Sequence, residues 1–170
     1  MPKKITSKNK VEQMVREAEK LMEINDYQNA EILLNQALEE NPNSAEGHYL
    51  LGEALCKQEN FTLATEHLRK AFSLLPGHPR ILHLLGWATF LNGDPDSGRK
   101  FMLLSLEKLP ETQTYCDLAV LENGQGNSKK AMEYALKAKE IEPDSKMVQE
   151  VIEAINYFKM IRGQIISKTN

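Results

Sequence analysis

The sequence predicts an all-α protein built as a linear array of paired helices, and three observations carry that prediction. Residue types recur at a nearly fixed step: Ala30, Ala64, Gly98 and Ala131 are all small and stand 34, 34 and 33 positions apart, and Ala37, Ala71, Ser105 and Ala138 follow the same steps. So do Ala18, Gly52, Gly86 and Ala119, and the column Leu34, Leu68, Met102, Ala135. Pro42, Pro76, Pro110 and Pro143 close each unit at the same interval, where a residue without an amide proton stops a helix. Within a unit such as 45–78, AEGHYLLGEALCKQENFTLATEHLRKAFSLLPGH, apolar residues fall three and four apart in two stretches around a short polar turn, the spacing of two amphipathic helices. A period in this range means a stack of units, none of which buries its own apolar face alone.

Taken in order, residues 1–8 are polar and lysine-rich without periodicity, and are expected to form a disordered basic tail. Asn9 with Glu12 reads as the start of the first helix, in the manner of a capping box. That helix runs to about Glu23, and a turn at Asn25 and Asp26 leads to a second helix ending before Pro42. Asn43 or Ser44 caps the first helix of the second unit, and Glu59 and Asn60 form its turn. The third unit opens at Pro79, and its second helix starts with Asp94 as cap and Pro95 as first helical residue. Gly98, where the counterparts have alanine, predicts that this is the weakest of the second helices. The fourth unit comes one residue early. Its first helix carries Glu122 where Leu21 and Leu55 stand, and is expected to fray near Gly124 and Gly126. From about Lys146 one unpaired helix covers the last unit to Arg162, with Gly163 as its stop and 163–170 as a flexible tail. Met147, Val151, Ala154, Phe158 and Ile161 form one stripe on it, and Val148, Ile152 and Ile155 lie beside them. That band is wider than one contact requires, so Val148, Ile152 and Ile155 are expected to form a self-association surface giving a homodimer.

Glycine inside a helix costs about 1 kcal/mol relative to alanine, so Gly52 and Gly86 need a reason, and close approach of neighbouring helices supplies one. The motif HxxLGxxL (His48, Leu51, Gly52, Leu55), followed by AxxxLxxA and a proline (Ala64, Leu68, Ala71, Pro76), resembles the tetratricopeptide repeat family. The resemblance covers roughly residues 11–145. It implies a right-handed superhelical solenoid in a single domain over 9–162, with repeats at about 11–44, 45–78, 79–111 and 112–145 and a capping helix at about 146–162. It further implies that the first helix of each repeat lines a concave groove used to hold peptides or partner helices.

Composition narrows the function. No apolar run approaches a membrane span, and the N-terminus MPKKITSKNK has no apolar stretch behind its charges, so a cytoplasmic location is expected. The net charge of −3 hides a division. Basic residues stand alone in 1–10 and 159–170, leaving 14 basic and 24 acidic residues, a net of −10, between 11 and 158. An acidic body repels phosphate backbones and favours basic protein partners, so nucleic acid would have to engage the tails. No glycine-rich phosphate loop, histidine–cysteine metal spacing or nucleophile with a nearby base is present. The expectation is no enzyme, no cofactor and no metal.

Helix positions that the resemblance turns inward give the candidate groove: Glu12 and Glu19 from repeat 1; Tyr49, Leu50 and Glu53 from repeat 2; Arg80, His83, Leu84, Trp87 and Leu91 from repeat 3; Cys116, Asp117 and Val120 from repeat 4. The centre is apolar and aromatic and the N-terminal end acidic. Trp87, the only tryptophan, is the natural anchor. One subset of the family clamps chaperone C-termini with basic and amide side chains; the corresponding positions here hold Val15, Glu19, Leu50, Arg80 and Leu84, and only Arg80 suits that role. The expected function is a non-catalytic adaptor or chaperone-like module binding a segment with apolar anchors and basic flanks. A chaperone of secreted substrates, as in bacterial secretion, and a nucleic-acid-associated adaptor acting through the basic tails are the alternatives.

Overall fold

The computed structural model describes residues 7–168, with side chains from 10 to 162; residues 1–6 and 169–170 of the expected tails lie outside the described residues. The described residues form nine helices and no strand: α1 (Ser7–Glu23), α2 (Tyr27–Glu40), α3 (Ala45–Lys57), α4 (Phe61–Leu74), α5 (Pro79–Leu91), α6 (Pro95–Lys108), α7 (Thr112–Gly124), α8 (Ser128–Ile141) and α9 (Lys146–Lys168). Consecutive helices pack as pairs, and each pair packs on the next. The odd-numbered helices α1, α3, α5, α7 and α9 also touch one another in sequence, whereas among the described residues α2, α4, α6 and α8 do not. The stack therefore curves, with the odd-numbered helices on its inner side. This is an all-α solenoid of four helix pairs and one terminal helix.

The columns of small residues are the contact points. Ala18, Ala30, Ala64, Ala71, Ala119 and Ala131 are fully buried, with Leu34, Leu68 and Met102 between the layers. A Cβ on Gly86 would lie 2.8 Å from the carbonyl oxygen of Gly98 and 2.9 Å from the amide of Met102, and one on Gly98 would lie 2.8 Å from the carbonyl oxygen of Gly86. The two glycines face each other, and α5 and α6 approach backbone to backbone. Gly98 is thus a requirement of this crossing, not the weak point expected from helix propensity.

Each turn within a pair is the same device. The last residues of α1, α3, α5 and α7 lead to a residue with positive φ: Asn25 (61°), Glu59 (60°), Gly93 (95°) and Gly126 (89°). The amide of the following residue then reaches back across the turn, as Asp26 N to Leu21 O (2.8 Å), Asn60 N to Leu55 O (2.9 Å), Asp94 N to Thr89 O (3.1 Å) and Asn127 N to Glu122 O (2.8 Å). This left-handed closure satisfies the carbonyls that a helix end leaves open. Asp26, Ser44 and Asp94 cap the next helices by accepting from the amides of Asn29, Gly47 and Ser97.

The ends of α1 and α9 differ from expectation, whereas α7 ends at Gly124, where fraying is expected. α1 begins at Ser7, two residues before Asn9. On α7 Glu122, fully buried, is neutralised: Arg99 Nε lies 2.6 Å, Lys130 Nζ 3.1 Å and Asn127 Nδ2 2.8 Å from its carboxylate oxygens. α9 passes through Gly163 to Lys168, as one glycine costs about 1 kcal/mol and no proline follows to end the helix.

Candidate functional site

The inner surface is read most easily as ladders running across the odd-numbered helices at the repeat step. One ladder is Glu19, Glu53, Trp87, Val120 and Ala154; a second is Glu23, Lys57, Leu91, Gly124 and Phe158. Both turn from charged in α1 and α3 to apolar in α5, α7 and α9. Trp87 is half-buried against Phe90, ring centroids 5.5 Å apart, while Leu91 and Val120 are 37% and 42% exposed. The groove therefore has an acidic N-terminal half and an apolar C-terminal half.

Two polar bridges tie neighbouring inner helices together. Arg80 on α5 lays its guanidinium over the Tyr49 ring of α3, 5.2 Å from the centroid, and donates to the phenol oxygen at 3.2 Å. Burial, reinforced by Glu53, raises the Tyr49 phenol above its ordinary range. His83 on α5 reaches Asp117 on α7, Nε2 to Oδ2 at 2.6 Å, and Gln113 donates to the other carboxylate oxygen at 2.9 Å. These bridges fix helix spacing where a bound segment would lie.

Three cavities open on this side. One of about 460 Å³ is floored by Val11 and Val15 and rimmed by Glu12, Glu19, Glu40 and Glu46, with Arg16 among them. Beside it, one of about 220 Å³ is lined by Glu19, Glu46, Tyr49, Leu50 and Arg80. The third, about 480 Å³, lies between α7 and α9 with Val120, Val151, Ala154 and Phe158 on its walls. Gly124 of the second ladder lies on its wall, where a Cβ would meet no atom within 4 Å.

Of the positions expected on the groove, Glu19, Tyr49, Leu50 and Arg80 meet around the two N-terminal cavities, with Glu53 one turn along α3 from Tyr49. His83 and Asp117 meet each other, Leu84 and Trp87 are half-buried, and Leu91 and Val120 are open. Cys116 is not a groove residue. It is 1% exposed and packs with Ala138 and Val148, because its position on α7 faces α8 and α9. Burial, then Asp117, pushes its thiol up to about 11.

The expected self-association surface is likewise corrected. Val148 and Ile155 are 0% and 2% exposed and Ile152 is half-buried, all three packed into this chain's own core, because α9 lies against both α7 and α8 and needs the wider band. Among the described residues the large exposed apolar side chains of α9 are Tyr157, Phe158 and Met160, at 57%, 48% and 52%. The α7–α9 cavity was missed as well, although carrying the ladders one step past repeat 4, from Val120 to Ala154 and from Gly124 to Phe158, would have located it. Among the described residues no helix is long and apolar enough to cross a membrane.

Fold and inner surface define an all-α helical-repeat array with a groove along its odd-numbered helices. Comparison of the sequence with family models matches residues 23–102 to the anaphase-promoting complex (cyclosome) subunit 3 family and residues 112–145 to the tetratricopeptide repeat. The second match makes the fourth helix pair, α7 and α8, a tetratricopeptide repeat. No curated protein matches the sequence. Among solved structures it is similar to MamA (41-end) from Desulfovibrio magneticus RS-1, at 24% identity and a TM-score of 0.73 over 80% of this chain and 77% of that one. It is also similar to PilF of Pseudomonas aeruginosa, at 17% identity and 0.78 over 91% and 71%. YrrB, described as a TPR protein with an unusual peptide-binding site, matches at 16% identity and 0.67 over 86% and 76%. At these identities the likeness establishes the fold.

Proposed function

We propose that the chain is a non-catalytic adaptor that holds an extended or helical segment of a partner protein on its inner surface. The segment carries a large apolar side chain over α5, α7 and α9 and basic residues over α1 and α3. The observation that carries this reading is the ladder Glu19, Glu53, Trp87, Val120, which changes from acid to apolar along one continuous surface. Half-buried aromatic side chains with open neighbours are the usual anchors of protein interfaces, and backbone-rigid helices present them with little ordering cost.

A random-peptide phage library selected on the chain tests it. Enriched peptides are expected to pair a bulky apolar residue with Lys or Arg, and to lose binding at least tenfold on Trp87→Ala and Val120→Glu variants whose circular dichroism matches the parent. Enrichment of acidic peptides, or binding unchanged in both variants, would overturn it.

A further inference from the structure

Arg162 donates from Nη2 to the carbonyl oxygen of Asn123 at 3.1 Å, which places it level with the C-terminal end of α7. Helix continues six residues further, to Lys168, about 9 Å at 1.5 Å per residue. Before these residues Tyr157 and Met160, three residues apart and so on one face, are 57% and 52% exposed. From 159 to 170 the chain carries Lys159, Arg162 and Lys168 and no acid.

At the opposite end of the groove stands the complementary surface. The 460 Å³ cavity has an apolar floor of Val11 and Val15, and four glutamates against one arginine around it. Of those glutamates only Glu40 has an ion-pair partner among the described residues, Lys10 at 2.9 Å. Pairing α9 with α9 of another copy would instead set two basic segments side by side, which electrostatic complementarity disfavours.

We propose that the acidic N-terminal half of the groove takes the C-terminal half of α9 from a second copy of this chain. Tyr157 and Met160 seat over Val11 and Val15, and Lys159 faces Glu12, Glu19 and Glu46. The contact is head to tail: each association leaves one free groove and one free α9, so copies add in open chains rather than stopping at a dimer. The proposal rests on the inner surface being a protein-binding surface, and it makes the chain its own competitor for that surface.

Sedimentation velocity on the full chain over a rising concentration series tests it. The weight-average mass is expected to climb without a plateau at the dimer, and to fall back as salt shortens the range of the charge attraction. Glu19→Lys/Glu46→Lys and Tyr157→Glu/Met160→Glu, all at solvent-facing or half-open sites and checked by circular dichroism, are each expected to be monomeric. An equimolar mixture of the two should form a dimer and nothing larger, because only one intact groove and one intact α9 remain per pair. A dimer plateau that survives the groove changes but not the α9 changes would mean α9 pairs with α9 and would overturn the proposal, as would a monomer at every concentration. Neither result touches the phage-selected peptides, which read the groove independently.

Discussion

Glu122 offers the sharpest test of how repeat 4 is held. Its side chain is 0% exposed and makes three polar contacts, with Arg99 at 2.6 Å, Asn127 at 2.8 Å and Lys130 at 3.1 Å. Removing one partner of a buried ion pair costs about 3–5 kcal/mol. Here Arg99 and Lys130 are 19% and 47% exposed, and Arg99 keeps Asp96 at 2.6 Å. Solvent and Asp96 therefore absorb part of the loss. We expect Glu122→Ala to destabilise by about 3 kcal/mol, the lower end of that range with a cavity included. Glu122→Leu restores what Leu21 and Leu55 supply in repeats 1 and 2, and a well-packed apolar replacement for a buried pair is often neutral, so its cost should stay within about 1 kcal/mol. Urea denaturation followed by circular dichroism measures both. A leucine variant as unstable as the alanine variant would show that the charge network itself, and not the filling of the site, holds α7 to α6 and α8.

The same site sets a pH dependence. Burial alone would raise the Glu122 carboxyl, but hydrogen bonds from Asn127, Arg99 and Lys130 outweigh it and hold the group below its ordinary value. Its stabilisation is therefore complete at neutral pH and is lost as pH falls below about 4.3, the unfolded value, through the lower folded one. The leucine variant should lack this component of acid unfolding.

The remaining predictions concern packing, turns and a histidine pair. Gly86→Ala would put a Cβ 2.7 Å from Met102 Cγ and 2.8 Å from a backbone oxygen, forcing α5 and α6 apart, and should cost about 3 kcal/mol in thermal or chemical unfolding; a neutral result would show that the crossing is loose. Glu59→Gly should stabilise by about 0.5–1 kcal/mol, because Glu59 alone in its column holds a positive φ (60°) with a side chain other than Asn or Gly. His48 and His67 meet at 3.0 Å through their Nδ1 atoms, and His48 Nε2 reaches Pro42 O at 3.1 Å. Burial first, with Lys70 acting on His48 and His48 on His67, lowers both below 6.5, against the opposing pull of Glu31 and Glu66 on His67. Stability should thus fall as pH drops from 7 through the lowered folded values, and His67→Gln should flatten that fall in denaturation midpoints taken between about pH 7 and 5.

The periodic features of the fold were legible because each is demanded four times. Small residues at 18, 52, 86 and 119 and the prolines at 42, 76, 110 and 143 mark where backbones must approach or helices must stop, and the structure uses every one of the small residues as a contact. Features that occur once were not legible. Helix propensity condemns Gly98, and only its partner Gly86 across the crossing explains it. Glu122 reads as a defect until Arg99, 23 residues earlier, is brought beside it. Cys116 lies one residue from Asp117, and a small error in helix phase suffices to move it from the groove to the core. On α9 the repeat step does mark the inner face, at Ala154 and Phe158, but the packing of this helix on both α7 and α8, which uses up the wider apolar band, has no precedent in the earlier repeats.

The division of the groove follows from the same economy. A solenoid gets its stability from contacts between neighbouring units, and here those contacts use the columns of small and aliphatic residues, which vary little from repeat to repeat. The inner ladders carry none of that duty at Glu19, Glu53 and Val120, which are exposed or half-exposed, so they are free to differ. Trp87 is the exception, since it packs on the core cluster of repeats 3 and 4 while keeping part of its ring at the surface. It sits where the ladder changes from acid to apolar, and on the proposed reading it sets the register of the partner segment. A ligand shifted by one repeat toward α1 would trade an aromatic anchor for Glu53, and one shifted by one repeat toward α9 would leave a basic residue over Trp87 and Glu19 without a partner. On the proposed reading the gradient selects one placement and one direction for the partner segment, which a groove of four equivalent repeats could not do.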